Sequence, residues 1–318
     1  MKTPAARTHW AAMGESTFVA GIWLLFWIHR LSGRWLFRVC LAPVVFAHWL
    51  CRPALRDASL QYLRRLQASQ RVFDHEPGWR EGLKHVSLFA ETMLDKLLAM
   101  AGRYPRERVN FQGRDMMLRA IAAKQGGLLV TAHVGCLELC RAMAERTPGF
   151  RLNVLVHTRH AEAFNAMLRR LHPNDAVTLI EVSEVGVPTA LLLGEKIAAG
   201  EFVAIAGDRV PVQQSKTASV DFLGHAAPFP IGAYVLASLL KCPLYMLGCV
   251  HEGQGYAVQF QLLAERVVLP RADRAAALRA HAQAFADALT AQLRRSPYDW
   301  FNFFPFWDQV PTDEVHHP

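Results

Sequence analysis

The spacing of hydrophobic positions changes twice along the chain. Phe18 to Ile28 is an unbroken apolar run (FVAGIWLLFWI), and a second apolar stretch runs from Trp35 to Cys51, interrupted by Arg38, Pro43 and His48. Arg56 to Ser69 is polar and basic and reads as a helix, and Asp74 to Gly78, with Pro77, breaks the pattern. From Trp79 to Ala101 the apolar residues Leu83, Val86, Phe89, Ala90, Met93, Leu94, Leu97 and Leu98 recur at helical spacing, and Pro105 closes that unit.

Beyond Pro105 short apolar runs alternate with amphipathic ones. Strands are predicted at Gly127–Ala132, Leu152–Val156, Val177–Glu181, Phe202–Ala206, Leu244–Val250 and Ala257–Leu263. Helices are predicted at Gly135–Glu145, Ala161–Leu171, Val187–Ala199, Ile231–Leu240 and Arg274–Arg295. Continuous apolar strands alternating with helices predict an α/β fold, a mostly parallel sheet flanked by helices on both faces. In such sheets ligands collect beyond the carboxyl ends of the strands. Three polar clusters fall there: His133–Glu138, His157–His160 (with Arg159) and Gly207–Arg209.

Neither N-terminal apolar stretch reaches the roughly 20 mostly uncharged residues of a regular membrane span. A helix or helical hairpin in the bilayer interface fits better, with Trp10, Trp23, Trp27, Trp35 and Trp49 at headgroup depth and Arg30, Arg34, Arg38, Arg52 and Arg56 against anionic lipid. Basic flanks with few acids are a cytoplasmic-side signature. One tilted span, a signal peptide, or a buried helical layer of a soluble protein are the alternatives. The predicted division is a membrane-associating segment at 1–55 and an α/β domain at 56–318.

The 318 residues carry a net charge of +8, which favours an anionic partner: nucleic acid, anionic lipid or an acidic carrier protein. A hydrophobic content of 52% excludes disorder. The six cysteines, Cys40, Cys51, Cys136, Cys140, Cys242 and Cys249, form no C-x-x-C and read as reduced, mostly buried thiols. The arginines cluster beside apolar anchors rather than among aromatics on one face, which argues against nucleic-acid binding.

His133 and Glu138 carry the candidate chemistry. A neutral imidazole can take a proton from a hydroxyl or amine, and a carboxylate can fix its tautomer. The H-x4-E spacing also occurs at His157/Glu162, so spacing alone is weak. Five helical steps leave two side chains about 140° apart, so His133 and Glu138 meet only if His133 precedes the first turn, which Gly135 allows. The flanking Leu137, Leu139 and Cys140 suggest that Glu138 is buried and paired.

Gly126–Glu138 resembles the H-x4-[D/E] block of the lysophospholipid acyltransferase superfamily, and is closest to its bacterial lipid A late acyltransferase (lauroyl/myristoyl) branch, which has glutamate at the acidic position. Ala206-Gly207-Asp208-Arg209 follows a strand where that branch carries a D-x-D-type motif, of which Asp208 alone is present. Val220–Gly232 resembles its F-x-G-x-x-x-x-x-P-x-G block. Tyr298–Phe304 occupies the place of its W-x-H-R-R-F ending, with W-F-N-F-F in its stead.

The resemblance implies a glycerolipid-acyltransferase-like fold and transfer of a fatty acyl group from an acyl-carrier-protein or acyl-CoA thioester to a hydroxyl or amine of a lipid acceptor, at the cytoplasmic face of a bacterial inner membrane. His133 would be the general base and Glu138 its orienting carboxylate. Backbone amides near Gly135 would steady the oxyanion, and Asp208, Arg209 and Arg159 would contact substrate. Phe222, Leu223, Phe229 and Ile231 are candidates for an acyl cleft, with ordinary core packing the default for all four. No cofactor and no metal are implied. G-x-S-x-G is absent, which weighs against an α/β-hydrolase. Two rivals remain open: a non-catalytic lipid- or acyl-carrier-binding protein of the same fold, and a metal-dependent hydrolase using His133, Glu138 and His157.

Overall fold

The computed structural model describes residues 16–144, 147–156, 177–181, 186–209 and 216–308. The predicted helix Ala161–Leu171 and the polar cluster His157–His160, including Arg159, lie outside the described residues.

Three helices come first: α1 (Ser16–Cys51), α2 (Pro53–Gln70) and α3 (Trp79–Met100). Next come β1 (Val109–Gln112), α4 (Arg114–Ala122), β2 (Gly127–Thr131), α5 (Leu137–Ala144), β3 (Leu152–Val156) and β4 (Val177–Glu181). Then follow α6 (Val187–Ala198), β5 (Phe202–Ala206), β6 (Thr217–Phe222), β7 (His225–Pro230) and α7 (Gly232–Leu240). The chain continues through β8 (Leu244–Glu252), β9 (Gly255–Ala264) and α8 (Arg274–Arg295).

Seven strands form one sheet in the order β1-β9-β8-β2-β5-β3-β4. Every neighbouring pair is parallel except β8–β9. β1 and β9 therefore run against the other five, and their amino ends lie at the edge where β2, β5 and β8 end.

The uninterrupted apolar reading of β2 has a direct cause. Leu128 and Val130 belong to a core shared with Tyr62 and Leu66 of α2, Tyr234 of α7 and Phe285 and Leu289 of α8. Leu129 belongs to a second core on the opposite face, shared with Phe37 and Trp49 of α1, Val86 and Leu94 of α3 and Leu139 of α5. A strand covered on both faces shows no apolar–polar alternation.

The pair β6–β7 is an antiparallel hairpin outside the main sheet. Its two-residue turn, Leu223-Gly224, has both φ angles positive (56° and 78°), the twist-matched geometry of tight hairpins. Of the two readings of Phe222, Leu223, Phe229 and Ile231, the structure shows core packing: all four are buried in the core around β2 and α8.

α1 is interrupted at Gly33 (φ 79°, ψ −179°). Gly33–Cys51 is long and apolar enough to cross a membrane by length and composition. In the structure one face of this half, Phe37, Leu41, Val45 and Trp49, is buried, while Trp35, Val39, Val44, Phe46 and Leu50 are exposed on the other. Gly82 of α3 makes room for Trp49, since a Cβ there would fall 2.2 Å from the indole. This corrects the expectation of headgroup depth for Trp49 and adds a second role for Arg34 and Arg38. Trp49 is a core residue. Arg34 forms a two-pronged pair with the buried Asp95 of α3, at 2.9 and 2.8 Å, and Arg38 pairs with Glu91 at 2.8 Å, so both arginines tie α1 to α3.

Candidate active site

The site starts from sheet register. β2 and β5 are adjacent and parallel, with Thr131 opposite Ala206. Two residues further along each chain, His133 and Asp208 come together just past the strand ends. The Asp208 Oδ1 lies 2.7 Å from His133 Nδ1, and its Oδ2 accepts the His133 backbone N–H at 2.9 Å. Gly207, between strand and aspartate, has no room for a side chain: a Cβ would fall 2.5 Å from Val130.

Asp208 is fully buried and takes two more donors, Trp300 Nε1 at 2.9 Å and Asn302 Nδ2 at 3.2 Å. These come from the aromatic C-terminal segment, which runs antiparallel to the residues after β2. Val134 and Trp300 form a bridge, Phe301 N–H donates to His133 O at 2.9 Å, and Gly135 N–H donates to Asp299 O at 3.0 Å. His85 of α3 anchors the segment: it donates Nε2–H to Trp300 O at 2.9 Å while Ser59 donates to its Nδ1. Burial pushes the His85 pKa down to about 4, which keeps the ring neutral. A second histidine–aspartate grip secures the same segment from β8, where Asp299 holds the backbone N–H and Nδ1 of His251.

Gly135 permits the turn that brings His133 ahead of α5. Its φ is +49°, and a Cβ would fall 1.9 Å from Cys249 O. The prediction that amides near Gly135 cradle an oxyanion meets an obstacle: Gly135 N–H is donated to Asp299 O, and Cys136 N–H to Cys249 O at 3.0 Å.

Burial would raise the Asp208 pKa, but the imidazole, the Arg209 guanidinium and the converging N–H donors hold it at about 2. Asp208 is therefore a carboxylate, and the nitrogen facing it, Nδ1, carries the proton. Burial lowers the His133 pKa, and the charge of Arg209 lowers it further, against the pull of Asp208. The ring is thus neutral near pH 7 with its lone pair on Nε2. The His133 side chain keeps 34% of its surface exposed while that of Asp208 has none, so the ring offers an open edge.

Arg209 is held by the C-terminal segment: its Nε donates to Asn302 Oδ1 at 3.1 Å and its Nη2 to Phe301 O at 3.2 Å. Glu138 does not take the predicted place on His133. Its Oε1 lies 3.2 Å from Nζ of Lys96 on α3, and no hydrogen bond or ion pair joins it to the imidazole among the described residues. The physical reason is register: the adjacent β5 delivers Asp208 to Nδ1 first. Lys96 is close enough for its charge to lower the His133 pKa slightly. Of the predicted site residues, the structure thus gathers His133, Gly135, Asp208 and Arg209, while Glu138 is paired with Lys96. Lys96, Trp300 and Asn302 were not singled out individually from sequence. Lys96 has one signal in the sequence, a charged Asp95-Lys96 pair set between Leu94 and Leu97 in the apolar last turns of α3.

Among the described residues no three His, Cys, Asp or Glu side chains are grouped to hold a metal ion. Residues 86–309 match the family model of bacterial lipid A biosynthesis acyltransferases, well over half of the 318 residues. The chain belongs to this family. No curated protein matches it. The matched region of this acyltransferase begins within α3 and includes Lys96, His133, Glu138, Asp208 and the aromatic C-terminal segment. Membership makes it an acyltransferase of the lipid A biosynthesis type in general terms, acting on an acyl donor and a lipid acceptor.

Proposed function

We propose that the chain moves a fatty acyl group from an acyl-carrier-protein or acyl-CoA thioester to a hydroxyl or amine of an envelope lipid, with His133 as general base. The observation that carries this reading is the Asp208–His133 pair, which fixes the proton on Nδ1 and leaves Nε2 as the proton acceptor on the open edge. The acceptor O–H or N–H gives its proton to Nε2 as oxygen or nitrogen attacks the thioester carbon. The resulting imidazolium is stabilised by the Asp208 carboxylate. As the tetrahedral intermediate collapses, the C–S bond breaks and the Nε2 proton passes to the leaving thiolate, so no covalent acyl-enzyme is needed.

Negative charge on the carbonyl oxygen requires fixed positive charge nearby. Arg209 and Lys96 supply it, both being close enough to bias the imidazole. Glu138 acts through Lys96, holding the ammonium against α5. Arg159 is assigned to an anionic part of the substrate on the strength of the resemblance alone.

The exposed apolar face of α1 supports membrane association, with residues 1–55 as the membrane-associating part and 56–318 as the α/β domain. The basic flanks support the cytoplasmic face of the inner membrane. Mass spectrometry of envelope lipids from cells with and without the chain tests the activity. The reading predicts a lipid heavier by one acyl group only when the chain is present, and lipid profiles identical in both cells would overturn it.

A further inference from the structure

A second polar site lies outside the histidine–aspartate centre. A cavity of about 360 Å³ opens between α1, the end of α3 and the segment leading into β1, and is lined by Arg30, Arg34, Leu98, Arg103, Tyr104 and Arg108 among others. Four guanidinium groups meet there. Arg34 is neutralised by Asp95, which is itself held by Tyr256 Oη at 3.0 Å, and Glu91 pairs with Arg38 and reaches Arg34 at 3.5 Å. Among the described residues no carboxylate forms an ion pair with Arg30, Arg103 or Arg108. Like charges converging on one cavity without a counter-ion repel one another, and a bound anion relieves that repulsion.

Two features say what kind of anion fits. Trp27 and Trp35 are exposed on α1 beside Arg30 and Arg34, and the Arg30 guanidinium lies 5.8 Å above the Trp27 ring. Interleaved tryptophan and arginine on an apolar helix suit headgroup depth. The second feature is position. β1 and β9 run against β8, so residues 103–108 enter the sheet at the edge where His133 emerges from β2. Three strand-to-strand steps separate β1 from β2, roughly 14 Å in all.

We propose that this arginine cavity binds the phosphate of a membrane-lipid headgroup and so seats the protein on lipid with its sheet edge, and His133, facing the bilayer surface. Guanidinium groups suit phosphate because their N–H pairs match its oxygens. The lipid is the source rather than free phosphate, because the cavity adjoins the exposed apolar face of α1, along which acyl chains can lie. This site does not depend on the acyl-transfer reading.

The test is binding of the full-length protein to vesicles of neutral phosphatidylcholine, alone or mixed with phosphatidic acid, measured by co-sedimentation. Wild type should prefer the phosphatidic acid vesicles. The double variant Arg103→Gln/Arg108→Gln should lose that preference by about tenfold or more, from about 1 kcal/mol per arginine near a charged surface. The control Arg266→Gln/Arg271→Gln removes the same charge from exposed positions away from the cavity and should keep the preference. All four side chains are on exposed residues, so the fold should persist, as unchanged melting would show. Equal losses in the two double variants would mean general surface charge and overturn the site. If inorganic phosphate raises the melting temperature of wild type but not of Arg103→Gln/Arg108→Gln, while both bind phosphatidic acid vesicles alike, the cavity takes soluble phosphate and the lipid assignment fails.

Discussion

Asp208 grips His133 at two points, taking Nδ1 at 2.7 Å with one carboxylate oxygen and the backbone N–H at 2.9 Å with the other. The grip fixes both ring orientation and tautomer, and it spans 75 residues of sequence. Asp208→Asn should keep the fold, since an amide can still meet several of the donors, but its NH2 group would face Nδ1 and move the ring proton to Nε2. Transfer activity should fall by about 10² to 10⁴-fold, the scale of losing a positioned acid–base group. Steady-state turnover beside a circular dichroism spectrum checks this, and near-wild-type turnover would contradict it.

Burial first, and Arg209 after it, set the working pH. Its charge lowers the His133 pKa, and the neutral ring is the active form, so activity is present above that pKa and is lost as pH falls through it. Arg209→Gln should therefore move the acid limb of the kcat/KM profile to higher pH. A limb that stays in place or moves to lower pH would show that Arg209 does not act on the imidazole.

Gly135 has no tolerable replacement. At φ +49° with Cys249 O at 1.9 Å from an added Cβ, Gly135→Ala must shift either the turn or β8. We expect a loss of at least about 2 kcal/mol in chemical denaturation, together with loss of activity as His133 is displaced. Unchanged stability and turnover would mean that the turn can relax.

Lys96 and Glu138 should behave as one unit. Lys96→Met and Glu138→Gln should each cost about tenfold or more in kcat/KM, and the double variant should cost no more than the worse single one, as expected for residues sharing one contact. Fully multiplicative losses would separate their roles and restore an independent function to Glu138.

How much of this was readable in sequence follows from range. Strands such as Gly127–Thr131 and Phe202–Ala206 are visible as apolar runs because helices cover both sides of the sheet. β1, four residues at the sheet edge with no buried position, has no such run, and the short β6–β7 hairpin carries its apolar residues around a turn rather than in a block. Residue pattern and family resemblance brought His133, Gly135 and Asp208 forward. The carboxylate that meets His133 is not the one sequence proximity points to: Glu138 is near in sequence, whereas Asp208 becomes a neighbour only through the adjacency and register of β2 and β5. Trp300 and Asn302 depend on still longer contacts, through a segment whose aromatic character hid its role as hydrogen-bond donor to Asp208.

The central claim is that Nε2 of His133 takes the proton of the attacking group. The most direct measurement is acyl transfer from labelled acyl-carrier protein to total envelope lipid by purified His133→Ala, with melting recorded on the same sample. Wild-type-like melting with transfer reduced to background is the predicted result. A folded His133→Ala protein that turns over at the wild-type rate would contradict the mechanism.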